Sequence, residues 1–222
     1  MLKTRHFVAL GISASLLAAT VSDLAQAQQT PPPDYYPLPT GNYWKYKTTT
    51  SMGNESEFTM TVCGPDQQED GSSLTKVEVF STLAFYSWYS KPSGWVKMHR
   101  EASAPDSQFA YDGWYEPIKD HLKNPLGVGD TWGWEGKRPG VVPTEAKETN
   151  TVEAVEEVTV PAGTFQAVKV ITEGEQSGAA FKRTYWYANR VGFVKGIVET
   201  NNGQFSSTSE LLERGSDRAC KS

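Results

Sequence analysis

Few side chains in this 222-residue chain are of types that do chemistry, and their spacing narrows the options further. His99 sits in a β-type run and His121 in the polar segment 119–124. Neither has a second histidine or a cysteine at the close spacing of a zinc site, so each reads as structural or solvated. Cys63 and Cys220 are the only cysteines, and they form no C-x-x-C redox motif. Asp66-Gln67-Gln68-Glu69-Asp70-Gly71 opens like a calcium loop, but Val77 stands where the closing acidic residue belongs. A solvated turn is the favoured reading there. Asp130, in Gly129-Asp130-Thr131-Trp132, reads as a turn cap at a strand entry in preference to a general acid. There is no G-x-S-x-G elbow, P-loop or G-x-G-x-x-G run. Paired carboxylates for glycoside hydrolysis would have to come from separate strands. No catalytic residue, metal ligand or cofactor is assigned.

The remaining chemical signal is aromatic. All seven tryptophans and all ten tyrosines lie beyond residue 27, so the folded part carries every one of them. Phe85-Tyr86-Ser87-Trp88-Tyr89 puts aromatic rings on both faces of one strand, and Trp95 and Trp114 follow in neighbouring segments. A core on one side of a sheet does not call for both faces. One reading is that a curved sheet fills its concave side with large side chains. The other is a groove for an apolar ligand, or a stacking site for sugar rings. On that second reading Phe85, Tyr86, Trp88, Trp95 and Trp114 are the candidate ligand-binding residues.

The elements that would position these rings are short strands. Runs rich in threonine, valine and aromatic residues cover 43–50, 55–62, 74–89 and 95–100, with Gly53, Gly64-Pro65 and Pro92-Ser93-Gly94 between them. The second half is cleaner: 151–160, 165–172, 181–187, 193–200 and 206–212, turned by Pro161-Ala162-Gly163, Gly174 to Gly178, Asn189 to Gly192 and Asn202-Gly203. Phe181, Arg183, Tyr185 and Tyr187 share one face of their strand. Connections this short join antiparallel neighbours, since a parallel crossover needs a dozen residues or more. No useful window holds a capped 3.6-residue apolar period. The expected fold is all-β: one highly curved antiparallel sheet, a half-barrel or open barrel, mostly meander, with little helix.

The N-terminus sets the compartment. Lys3 and Arg5 precede an uncharged apolar run over 7–21, and Ala25-Gln26-Ala27 has the form of a signal-peptidase site. The run is shorter than the ~20 residues that span a bilayer. The chain therefore divides into a signal peptide (1–27), a Gln/Pro-rich lead-in (28–39) and a single β domain (40–222). Cleavage removes Lys3, Arg5 and Asp23 and takes the formal net charge from −5 to −6. No later stretch spans a membrane, and no basic run suits nucleic acid. In a periplasmic or secreted bacterial protein the two cysteines are expected as a Cys63–Cys220 disulfide that staples the C-terminal tail.

One internal repeat stands out. Residues 37–46 (PLPTGNYWKY) and 125–134 (PLGVGDTWGW) both read P-L-x-x-G-x-x-W-x-aromatic. The pattern predicts two equivalent strand entries, each with a Gly turn, and a sheet built in two halves that meet near Pro125. Val158-Thr159-Val160-Pro161-Ala162-Gly163-Thr164-Phe165, Tyr185-Trp186-Tyr187-Ala188 and Val191-Gly192-Phe193-Val194-Lys195 resemble a signature of exported bacterial proteins of unknown function. The resemblance implies a strongly curved sheet similar to lipoprotein-carrier half-barrels, and implies no activity. The favoured function is a non-enzymatic binding or carrier module for an apolar ligand or an envelope component. An envelope interaction protein without a small ligand, and a hydrolase with carboxylates from separate strands, are the alternatives.

Overall fold

The computed structural model describes residues 31–200 and 203–221. The segment 1–27, expected as a signal peptide, and Asn202, expected in the last hairpin turn, lie outside the described residues. The strands are β1 (Tyr43–Thr50), β2 (Glu55–Gln67), β3 (Ser73–Phe80), β4 (Ala84–Ser90), β5 (Gly94–Ser103), β6 (Asp112–Asn124), β7 (Thr131–Arg138), β8 (Thr144–Val160), β9 (Gly163–Gln176), β10 (Ala179–Ala188), β11 (Gly192–Thr200) and β12 (Phe205–Gly215). Each pairs antiparallel with its neighbours in sequence, as the short connections require. The sheet goes further than a half-barrel or an open barrel. β1 pairs with β12 from Tyr43↔Gly215 to Thr50↔Ser207, and the barrel closes. Closure satisfies the backbone groups that two free edge strands would leave unpaired.

The two halves anticipated from the repeat are β1–β6 and β7–β12, and their entries match bond for bond. Gly41 and Gly129 both take positive φ, 85° and 89°. The amide of Gly41 donates to the Val62 carbonyl and that of Gly129 to the Val152 carbonyl, each at 2.9 Å. Val62 and Val152 in turn donate to Asn42 and Asp130. Both valines are fully enclosed, and each is followed by a register shift, at Val62/Gly64 and Val152/Ala154. Asp130 caps its own turn, accepting from the Gly127 amide at 2.9 Å. The Pro-Ala-Gly turn also forms as read, with Gly163 at φ 130° opening β9.

One joint in the wall is different. β6 and β7 share a single ladder pair, Glu116↔Lys137. Two indoles of β7 stand in for the missing ladder: Trp132 Nε1 donates to the Asp120 carbonyl and Trp134 Nε1 to the Pro117 carbonyl. Where the backbones do touch, Gly136 is obligatory, because a Cβ there would lie 2.3 Å from the Glu116 carbonyl oxygen.

The C-terminal tail is tied down as anticipated. Cys63 and Cys220 are bonded, with Cα atoms 5.4 Å apart. The Lys221 amide donates to the buried carboxylate of Glu78, and the Arg218 amide to the Gly41 carbonyl.

Candidate functional site

An up-and-down barrel offers three places for a ligand: its interior, its outer wall and its two ends. The interior is the first to test, because strand alternation sends every second side chain there. At the end where β1 starts, residues 32–38 cross the mouth. Asp34 fixes this segment. Its carboxylate accepts from Lys91 Nζ at 2.7 Å, Asn124 Nδ2 at 2.8 Å and the Tyr36 amide at 3.0 Å. Its backbone bonds the Asn189 side chain and the Arg190 amide. Burial alone would raise the Asp34 pKa, but these donors hold it below the usual carboxylate range. The segment thereby inserts Tyr36, whose ring lies 5.3 Å from those of both Tyr89 and His121. Beneath it Trp44, Tyr46, Tyr187 and Phe193 fill the section, with Trp44 Nε1 donating to Val191 and Tyr46 Oη to Phe193.

Deeper in, the interior turns ionic. Lys119 of β6 meets Glu148 of β8 at 2.8 Å, and Arg183 of β10 lies 3.5 Å from the same carboxylate. Lys119 and Glu148 are almost completely enclosed. Burial pushes the Lys119 pKa down, with Arg183 and Arg138 adding to the effect and Glu148 opposing it. For Glu148 the burial that would raise its pKa is overridden by Lys119 and Arg183, which hold it low. Asn150 and Thr172 bond each other alongside, at 2.7 Å. Towards the far end Arg138 bonds Glu101 and Gln176, and Gln176 bonds Thr144. His121 borders this cluster, and burial together with the charge of Lys119 pushes its pKa down to about 3.

These side chains leave little free space. Under the Tyr36 plug an apolar space of 20 Å³ remains, and beside Lys119, Glu148 and Arg183 one of 30 Å³. Each has room for one or two water molecules and nothing larger. A larger hollow, 460 Å³, lies on the outer face of β9–β11, where Glu173, Glu175 and Glu199 gather around Lys182. It is open to solvent, and Glu173 keeps 70% of its side-chain surface exposed.

The five aromatic residues singled out from the sequence do not share one place. Tyr86 and Trp88 point outward on β4, and Trp114 outward on β6. Register places Lys76 and Arg100 on either side of Trp88, and Arg100 next to Trp114. The result is a ladder of alternating cations and rings: Lys76 lies 4.0 Å from the Tyr86 centroid, and Arg100 4.4 Å from that of Trp88 and 5.9 Å from that of Trp114. Trp88 is only 4% exposed, packed with Leu74 and Ala102 in a small cluster of its own, and its indole donates to Asp66. Arg100 pairs with Asp112. Phe85 lies on the inward face at the barrel's far end, 40% exposed. Trp95 packs edge-on against Trp132 near the plugged end. What sequence reasoning missed is the interior charge. Its one available signal was Arg183, in phase with Tyr185 and Tyr187 on an otherwise aromatic face.

Residues 144–211, which run from β8 into β12, match the DUF3108-like family model. No curated protein matches the chain. Among solved structures, the chain is similar to a Parabacteroides distasonis protein described as a lipoprotein, at 13% identity. That match covers 84% of this chain and 100% of that one, with a TM-score of 0.46. A Bacteroides fragilis protein described as exported, with a YmcC-like fold, is similar at 17% identity. Here 82% of this chain and 99% of that one are covered, with a TM-score of 0.45.

Proposed function

We propose that this protein is an exported, non-enzymatic interaction module that meets a cell-envelope component on the outside of its barrel and encloses no small ligand. The observation that carries the reading is the occupied interior: among the described residues Tyr36 and its aromatic neighbours fill one level and Lys119–Glu148–Arg183 the next, beside spaces of only 20 and 30 Å³. Pockets that enclose a small molecule run to about 300–1,000 Å³ and are mostly apolar. Export is supported by the signal-type N-terminus and by the disulfide. The carboxylates around the outer hollow do not support a hydrolase, since a general acid needs a carboxyl shielded from water. The test is native mass spectrometry on protein recovered from the exported fraction of cells expressing the full chain. The expected mass is that of the oxidised polypeptide alone. A stoichiometric apolar molecule carried through purification would overturn this reading and restore the carrier.

A further inference from the structure

The two ends of the barrel differ in chemistry. At the plugged end the connections and tail carry Glu69, Asp70, Lys91, Asp130, Arg190, Asp217 and Arg218. At the other end the loops are 51–54, 81–83, 104–111, 139–143, 177–178 and 203–204, and Asp106 is their one charged residue. Loops are the most solvated part of a β-barrel and are ordinarily polar. Here apolar side chains stand out from them instead. Met52, Phe109, Val141 and Val142 are 71%, 65%, 59% and 73% exposed, and Leu83, Phe85 and Phe205 complete the ring at 45%, 40% and 36%. Seven of the chain's eleven exposed large apolar residues among those described thus sit on one rim, contributed by five separate connections. Solitary exposed apolar residues need no explanation, but a ring of them at one end of the molecule does.

We infer that this rim docks onto a neutral lipid surface. The inference rests on the reading that the partner is met outside the barrel, and it names that partner. Three features favour a bilayer over a protein. Protein docking sites concentrate their energy in a central packed anchor. The tips here surround a mouth whose inner wall carries Arg138, Glu101, Gln176 and Thr144 beside Phe85. A fluid surface admits separate tips without a matching shape. Next, Tyr86 and Trp114 point outward at the third residue of β4 and β6, about 10 Å or less below the rim at ~3.3 Å per residue. Amphipathic rings at that depth occupy the headgroup level when tips insert by about 5–10 Å. Finally, the strand ends just behind the tips carry no cluster of cations: Lys47 faces Glu55, and Lys182 lies among Glu173, Glu175 and Glu199. Anionic lipid recognition needs such a cluster. The wall below is solvated and charged, with Lys45–Glu57 and Lys147–Glu135 on its outer face, so the contact stops at the rim.

The test is flotation of the exported protein with phosphatidylcholine vesicles at low and high salt. The expected result is co-flotation that salt does not weaken, because no charge pairing carries it. Phe109→Asp combined with Val142→Asp should reduce vesicle binding by at least about tenfold, since two inserted side chains are lost. Both positions are exposed, so the fold should persist by circular dichroism. Val128→Asp, at an equally exposed site on the opposite end, should float like the parent. Absence of flotation, equal flotation of the double variant, or binding confined to anionic vesicles and lost in salt would each overturn the inference. So would a rim-dependent dimer in solution that leaves flotation untouched. Failure here with a ligand-free native mass spectrum removes only the lipid partner, whereas a retained ligand removes the underlying reading.

Discussion

Replacing Lys119 by methionine tests the account of the interior. The variant keeps the length of the aliphatic stem and removes the ammonium that lies 2.8 Å from Glu148. Glu148, with 6% of its side-chain surface exposed, then keeps Arg183 at 3.5 Å as its remaining cation. Breaking a buried pair by removing one partner costs about 3–5 kcal/mol, because the survivor stays charged and desolvated. Arg183 places Lys119→Met toward the low end, about 3 kcal/mol. With a urea slope of about 2–3 kcal/mol per molar, the unfolding midpoint should fall by about 1 M or slightly more. The informative comparison is the double variant Lys119→Met with Glu148→Leu. Removing both charges leaves only Arg183, 21% exposed, without its carboxylate, so part of the loss should return. Urea titration followed by tryptophan fluorescence reads both, with the slope checked for constancy. A single variant within about 0.3 M of the parent, or a double variant worse than the single by the full cost of Glu148→Leu, would show that the pair is not the buried unit described.

Three further outcomes follow from individual contacts. His121 stays neutral in the fold while its unfolded pKa is about 6.5, so above that pH neither state binds the proton and stability is unaffected. As pH falls from about 6.5 toward 3 the unfolded state alone takes it up, and about 2 kcal/mol should be lost between pH 6.5 and 5; denaturation of His121→Gln over the same range should lack this component. Gly163→Val, at φ 130°, should cost more than about 1 kcal/mol in denaturation midpoint at unchanged slope, and a negligible shift would deny the strained turn. Trp88→Ala should cost about 3–5 kcal/mol and Trp114→Ala less than about 1, so the reverse order in thermal unfolding would mean that the cation–ring ladder does not bury Trp88 as described.

Much of the architecture could be read from local pattern. The Gly-x-x-Trp entries, the Pro161-Ala162-Gly163 turn and the short connections each act within a few residues, where backbone sterics leave little choice. Closure was less visible, because pairing of Tyr43 with Gly215 joins the two extremes of the domain. The aromatic run 85–89 was legible as two-faced, but its meaning was not. Whether Trp88 is a binding surface or a sealed residue depends on Lys76 and Arg100, and only the registers of β3 and β5 bring these beside it. Lys119, Glu148 and Arg183 come from three alternate strands. Taken singly, Lys119 and His121 belong to a segment as polar as any solvated loop.

The single-pair joint between β6 and β7 makes the molecule less a hoop than a book. Its spine is the boundary of β1 with β12, laced from Tyr43 to Thr50 and bound in beside it by the Cys63–Cys220 link. Its fore-edge is the boundary of β6 with β7, held shut by one ladder pair, two tryptophan side chains and the ion pairs Lys119–Glu148 and Arg138–Glu101 that cross it. Both boundaries fall where the two repeated halves meet, so each half is a cover that keeps its own ladders intact however far the fore-edge parts. This joint has the fewest backbone pairs of any in the wall, so a load that opens the barrel would part it there first.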